Sequence, residues 1–343
     1  MRISAADAEG LATSLLMAAG APLPHARIQA EGLVGAETRG HPSHGLQRLP
    51  RLLDRIDRGL ADPASRGELR WHQSGVLHVD GQRGLGPVIA FAAIEALLTR
   101  VDDCGIALAG IGNSNHLGML ATYVEAVARA GKICIALSTS EALVHPFGGT
   151  RAMLGTNPIG IGIPNGEEPF VLDLATSLVS MGKIHDHALR GAPVPEGWAL
   201  DADGAPTTDA ERAKRGSIAP FGDAKGYGLG LAFELLVASL VGSAFAPDVH
   251  GTLDAEHVAN KGDVFIVIDP TKARADRIGT YLDALRASPA ADSDHPVSVP
   301  GDGARRRRAL ALEDGFSVND ALWRSLNDRL HHTSLQTKQE ISS

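Results

Sequence analysis

The chain has 343 residues, with 40 Asp and Glu against 32 Lys and Arg for a formal net charge of −8. That balance argues against a nucleic-acid binder. The length supports one large or two medium domains with a sizeable core, and two cysteines, Cys104 and Cys134, are too few for a disulfide framework and lack CxxC spacing.

Both cysteines lie in or beside apolar runs and read as buried structural thiols. The 39 glycines stand against only 4% aromatic residues, which favours close backbone packing and glycine turns over aromatic stacking.

In chain order, residues 4–38 read as two amphipathic helices split by Gly20–Pro24, the first capped by Ser4 with Asp7 three residues on. Asp7 and Glu9 precede the apolar patch 11–19, where a secretory signal would be basic. Leu46, Leu49, Leu52, Leu53, Ile56 and Leu60 predict a third helix. From about residue 75 short apolar runs separated by glycine read as strands: VLHVDG, GIALAGIG, ICIALSTS, IGIGIP, FVLDLATS and VFIVIDP. Helices over 87–100 and 117–131 lie between some of them. The fold class is therefore α/β, with an N-terminal helical unit over 1–74, an α/β domain over 75–300, and 301–343 packing back on the first unit.

The stretch Gly226–Ala246 is long and apolar enough to raise a membrane question, but Glu234 at its middle favours a buried core helix. The expectation is a soluble cytoplasmic protein with no membrane contact. Residues 287–308 read as a loop ending in Arg305–Arg308, a run that suits either a solvated face or a phosphate contact.

Five segments carry possible chemistry. In Arg39–Arg48, a helix starting near His44 puts His44 and Arg48 at i and i+4 on one face. One offers a proton near neutral pH and the other a planar fork for a carboxylate, the pair that reduction of a 2-oxo acid requires. His41 and His44 lack H-E-x-x-H spacing, and Ser43 is not in G-x-S-x-G, so metal and hydrolase readings are weaker. Gly110–Asn115 lacks the third glycine of G-x-G-x-x-G, so an ordinary Rossmann domain is not supported, yet a helix start beside His116 suits an anion. Gly155–Pro158, then Asp173–Ser177 with Gly182–Lys183, and Pro220–Gly226 with Lys225 are polar turns that serve equally as loops or ligand contacts.

Taken together and in order, RGHPSHGLQRLPRLLDRI, NSNHLGMLATYVEAVARAGKI, HPFGGTRAMLGTNPIGIGIP, FVLDLATSLVSMGKI, VPEGWALDADGAPTTD, PFGDAKGYGLGLAFELL and VSVPGDGARRRR resemble the malate/L-lactate dehydrogenase family. That family lacks the Rossmann fold and includes sulfolactate dehydrogenases, diketogulonate reductase and cyclic-imine reductases. The resemblance implies a homodimeric oxidoreductase using NAD or NADP, with a non-Rossmann mixed-sheet cofactor domain and a small carboxylate substrate. It places the proton donor at His44, supported by Ser43, and the substrate contacts at Arg48 and Thr156. It places cofactor contacts at His116, Leu117, Gly118, Met119, Leu120, Asp173, Leu174, Ala175, Lys183, Lys225, Gly301, Asp302 and Arg306, with no metal.

Lys183 stands where the imine-reducing branch carries an acid, which tilts the resemblance toward ketone reduction. Asp223-Ala224 replace a more usual glycine and larger residue before Lys225. The implied reaction interconverts a small L-2-hydroxy acid and its 2-oxo acid. The alternative within the family is reduction of a piperideine- or pyrroline-2-carboxylate; outside it, a non-catalytic ligand-binding protein.

Overall fold

The computed structural model describes residues 1–270 and 275–341. Helices α1 (Ala5–Ala18) and α2 (Leu23–Thr38) are separated where Gly20 takes φ +94°. Ser4 accepts the Asp7 amide at 3.1 Å, while the Asp7 carboxylate takes the Ser4 hydroxyl proton at 2.7 Å instead of reaching the backbone amide of a full capping box.

The third helix is not continuous. Two single 3₁₀ turns, Pro42–His44 and Leu46–Arg48, precede α3 (Leu49–Asp57). The physical reason is Glu37, whose carboxylate accepts the Leu46 amide at 2.8 Å and so removes it from helical pairing. Leu15, Leu16, Leu33, Leu49 and Leu53 of these helices form one core with Ala311, Phe316, Val318 and Leu326 from the C-terminal segment, and Arg2–Ile3 pairs with Phe316–Ser317.

Seven strands form the main sheet: β1 (Glu68–Gln73), β2 (Val76–Asp80), β3 (Ile106–Gly112), β4 (Ile133–Ser138), β5 (Ile159–Ile163), β6 (Phe170–Leu174) and β7 (Asp263–Ile268), in the order β1-β2-β3-β7-β4-β5-β6. Only β2 and β3 run parallel, joined by α4 (Gly86–Cys104); every other neighbouring pair is antiparallel. This is a mixed sheet and not the parallel Rossmann arrangement. Helices α4 and α5 (Ala121–Arg129) cover one face through Ile89, Leu97, Tyr123 and Val127 on Leu77, Ala109 and Phe265. Strand β1 escapes sequence reading because its edge is half exposed and polar; it also starts the sheet before residue 74.

A small three-stranded sheet (Ala199–Leu200, Pro206–Thr207, Ser217–Ile218) packs with α6 (Met181–Leu189) and α7 (Ala210–Ala213) around Ile184, Val194 and Ile218. On the other face of the main sheet lies α8 (Ala224–Val241), where Val237 meets Leu137 and Val264. Among the described residues it alone is long and apolar enough to cross a membrane. It is buried on one side only: Glu234, Val237 and Ala238 are enclosed, whereas Leu229, Leu235 and Leu236 are 38%, 48% and 39% exposed.

The chain continues through α9 (Ala275–Arg286), α10 (Asp302–Asp314) and α11 (Asp320–Ile341). Arg305–Arg308 therefore lie in the first turns of α10 and not in a loop. Cys134 is buried, and burial pushes its thiol up to about 12. Cys104, by contrast, ends α4 at the surface, so the expectation of two buried thiols holds for one only.

Candidate active site

The site is assembled around the turn Pro42–His44. Gly45 closes it: a Cβ there would run into the Glu37 carboxylate, so a larger residue would have to push that side chain off the Leu46 amide. Burial pushes the Glu37 carboxyl up to about 7. Ser43 Oγ lies 3.2 Å from His44 Nδ1, and Arg48 Nε donates to the Ser43 carbonyl at 2.9 Å. Arg48 Nη1 donates to the Thr252 carbonyl at 3.0 Å, and Thr252 is itself held by its amide and hydroxyl on Glu141. His44 and Arg48 thus belong to separate 3₁₀ turns and not to one α-helical face, yet they line the same cavity.

His116 lines it too, its ring centroid 5.5 Å from that of His44. The Gly118 amide donates to His116 Nδ1 at 2.9 Å, which places the proton of the neutral ring on Nε2. The turn before it is fixed by α4: a Cβ on Gly86 would collide with the carbonyls of Asn115 and His116. Burial first, then the Arg48 charge and that of His41, lower the His44 ring to about 4, and burial and Arg48 hold His116 well below the usual histidine range. Burial also lowers Arg48 to about 10. Both rings are therefore neutral at pH 7.

The cavity has a volume of about 40 Å³, and Arg51, Arg55 and Asn115 complete its polar wall. Arg55 is tied by Nε to Asn115 Oδ1 and by Nη1 to the carbonyls of Asp254 and His257, each at 2.9 Å. These partners lie about 60 and 200 positions away and carry no local sequence signal. The arginines at 48, 51 and 55, however, repeat at helical spacing and were legible as a stripe.

A second cleft, about 670 Å³, begins at Met119 and Ala121 and runs past Asp173 to Gly301. Arg39, Arg129, Arg305, Arg307 and Arg308 line it. Asp173 accepts the Ala121 amide at 2.7 Å at the start of α5; burial raises its carboxyl to about 6. Asp302 organises the 299–302 turn: its carboxylate takes the Val299 amide at 3.0 Å and two Arg286 N–H groups at 2.9 Å, and also pairs with Arg305. The Arg286 hydrogen bonds hold it well below the usual carboxylate range.

Of the sequence-derived residues, His44, Arg48, His116, Leu117 and Gly118 line the small cavity, and Met119, Asp173 and Gly301 the cleft. Ser43 touches the ring of His44, and Gly182 at the start of α6 packs so closely on Ser43 that a Cβ would lie 2.7 Å from the Ser43 Cβ. Lys183 follows, its Nζ 5.1 Å from the Trp198 ring centroid. Leu120, at the N-terminus of α5, is buried in the core of the main sheet. Thr156, Leu174, Ala175, Lys225, Asp302 and Arg306 line neither cavity; Arg306 is exposed, while its neighbours Arg305, Arg307 and Arg308 face the cleft. Thr156 instead lies 3.4 Å by its hydroxyl from that of Ser140. Sequence reading also missed a buried ion pair, Lys261 with Asp263, the latter accepting from Ser138 at 2.6 Å. Among the described residues no cluster of three or more His, Cys, Asp or Glu is arranged to hold a metal.

The sequence profile of malate/L-lactate dehydrogenases matches residues 3–327. A (2R)-3-sulfolactate dehydrogenase (NADP(+)) of Chromohalobacter salexigens is 38% identical over 92% of this chain and 93% of its own. A malate/(S)-sulfolactate dehydrogenase of Methanothermus fervidus is 36% identical over 96% and 97%. The crystal structure of a dehydrogenase from Sinorhizobium meliloti superposes with a TM-score of 0.93 at 55% identity, covering 96% of this chain and 98% of that one.

Proposed function

The chain belongs to the malate/L-lactate dehydrogenase family, and on that premise we propose that it interconverts a small L-2-hydroxy acid and its 2-oxo acid with NAD(H) or NADP(H). The observation that carries this reading is the placement of His44, His116 and Arg48 around one small cavity, with Met119, the residue after its Gly118, lining the arginine-rich cleft.

The cleft suits an anionic dinucleotide. Five arginines offset Glu125, Glu168 and Asp173 on its wall, and Gly301, at φ +94°, carries the 299–302 turn past the Val171 carbonyl, which a Cβ would approach to 3.0 Å. Arg305, Arg307 and Arg308 would hold the phosphates. When bound, the nicotinamide supplies or accepts the hydride.

Arg48 holds the substrate carboxylate. Burial is the larger cause of the lowering of His44 and the Arg48 charge the next; the substrate carboxylate offsets the Arg48 part, which favours the protonated ring that passes its proton to the carbonyl oxygen. In the reverse direction the neutral ring takes the hydroxyl proton. Ser43 orients the imidazole through Nδ1, and His116 offers a second N–H donor from Nε2.

The test is a panel of pyruvate, oxaloacetate, a bulkier 2-oxo acid and piperideine-2-carboxylate, each with NADH and NADPH, read by nicotinamide absorbance. Turnover of at least one oxo acid is expected. Turnover of the cyclic imine alone would replace the reading with the imine-reductase one. We further place the protein in the cytoplasm as a homodimer whose second copy covers the exposed Leu229, Leu235 and Leu236 of α8. Sedimentation at twice 35.8 kDa is expected.

A further inference from the structure

Residues 249–262 form neither helix nor strand, so their peptide groups must find partners elsewhere. From one side Arg55 Nη1 takes the Asp254 and His257 carbonyls, and Arg58 Nη1 takes that of Ala255 at 2.7 Å. From the other side comes Glu141, three residues beyond β4. Its Oε1 alone accepts the Thr252 amide at 2.8 Å, the Thr252 hydroxyl at 3.0 Å and the Leu253 amide at 2.9 Å.

The Leu253 N–H and the Thr252 carbonyl belong to one peptide unit. That unit is planar and trans, its N–H and C=O point in opposite directions, and holding one end therefore aims the other. The other end is the carbonyl that accepts Arg48 Nη1 at 3.0 Å. A carboxylate thus sits at the N–H end of this peptide and a guanidinium at its C=O end, an order in which each hydrogen bond polarises and strengthens the next. Burial first, then the charge of Arg51, lower Arg48, and the Glu141 charge acts against both. Arg48 Nε is tied separately, to the Ser43 carbonyl. With both ties made the guanidinium plane is set, and the remaining hydrogens of Nη1 and Nη2 are left for an incoming carboxylate. Glu141 itself lines neither cavity.

We propose that Glu141 is a positioning residue for substrate binding, which aims the Arg48 fork by holding the far end of the Thr252–Leu253 peptide. This rests on the reading above in which Arg48 holds the substrate carboxylate. A role confined to holding the loop would differ in kind, because its loss would lower stability whatever residue stood at position 48.

The experiment is a double-mutant cycle between Glu141→Ala and Arg48→Lys, run on the 2-oxo acid that the wild type uses best, with Tm recorded for each variant. Glu141→Ala should raise KM about tenfold and lower kcat by less than about threefold, with nicotinamide affinity, read by fluorescence, unchanged. In the Arg48→Lys background, where the guanidinium link to the Thr252 carbonyl is gone, the same change should cost less than about threefold in kcat/KM. Glu141→Gln keeps a neutral oxygen for the three donors and should raise KM only about threefold. If Glu141→Ala does not fold, Glu141→Gln closes the same cycle, its rise in KM again vanishing beside Arg48→Lys. Equal losses in the two backgrounds, or an unchanged KM in a folded Glu141→Ala with a lowered Tm, would overturn the proposal and leave the hydroxy-acid reading in place. Turnover of piperideine-2-carboxylate and of no oxo acid would replace that reading, and the same cycle on the imine, which also carries a carboxylate, would still decide the role of Glu141. Turnover of neither would overturn both.

Discussion

The imidazoles of His44 and His116 share one cavity with centroids 5.5 Å apart, but only His116 has its proton placed by the backbone, through the Gly118 amide on Nδ1. His44 meets a hydroxyl instead, Ser43 Oγ, which serves as donor or acceptor and so tolerates either charge state of the ring. This freedom makes His44 the better proton carrier. His44→Ala should lower kcat by about 10²–10⁴-fold, the usual worth of a general acid, with cofactor affinity, measured by nicotinamide fluorescence, nearly unchanged. Full activity in that variant would remove His44 from the mechanism.

The same geometry fixes the sign of the pH dependence. In the free enzyme burial and Arg48 lower His44 to about 4, and reduction needs the protonated ring, so kcat/KM for reduction should fall with rising pH from that low value. A substrate carboxylate on Arg48 removes part of the lowering, so kcat should persist to higher pH. Coincident profiles for kcat and kcat/KM would show that the carboxylate does not sit on Arg48.

Arg48→Lys tests the anchor directly. The lysine loses the fork and also releases the Ser43 and Thr252 carbonyls, which the Nε and Nη1 hydrogens hold at 2.9 and 3.0 Å. KM should rise by about tenfold or more, and kcat should fall by less, since a point charge still attracts the carboxylate. Steady-state kinetics with the best oxo acid reads the split.

Local signals made the buried strands and the His44–Arg48 turn legible. Most of the buried strands are apolar runs with glycine within or beside them, and S-H-G-x-x-R sits within a single stretch of sequence. The polar strand β1 was invisible because one edge of it faces solvent. The break at Gly45 was invisible for another reason: it depends on Glu37, which looks like any helical glutamate until the fold brings it under Leu46. The carbonyl of Thr252 reaches Arg48 across 204 positions, and nothing local announces such a contact.

Glu37 also carries a stability prediction. Its carboxyl lies at about 7 in the fold against 4.5 ordinarily, so its contribution is greatest below pH 4.5 and is lost as pH rises through 7. Glu37→Gln keeps an oxygen for the Leu46 amide and cannot ionise. Its stability relative to wild type should therefore climb between pH 5 and pH 8, by at most about 3 kcal/mol at 1.36 kcal/mol per pKa unit. Urea unfolding at both pH values measures the difference, and a pH-independent difference would contradict the assignment.

Asp223 occupies φ +56°, ψ −120°, a backbone conformation that glycine adopts far more readily. The side chain caps nothing at the start of α8. Asp223→Gly should stabilise the protein by about 1 kcal/mol, the relief of strain less the extra freedom of the unfolded chain. Thermal unfolding of the two proteins side by side checks the sign.

Glu234 joins stability to the site. Within the apolar helix α8 its carboxylate accepts the Ala246 amide at 2.6 Å, Asn157 Nδ2 at 2.8 Å and, more weakly, the Gly155 amide at 3.4 Å. Glu234→Leu would gain apolar burial but strand these donors, each worth about 1–3 kcal/mol when unmet, so a net loss of about 2–5 kcal/mol is expected. Glu234→Gln retains one acceptor and should lose less. Because Gly155 and Asn157 flank Thr156, a folded Glu234→Gln should also raise KM for the substrate if Thr156 contacts it. An unchanged KM alongside a lowered Tm would confine Glu234 to holding α8 against the 155–157 turn.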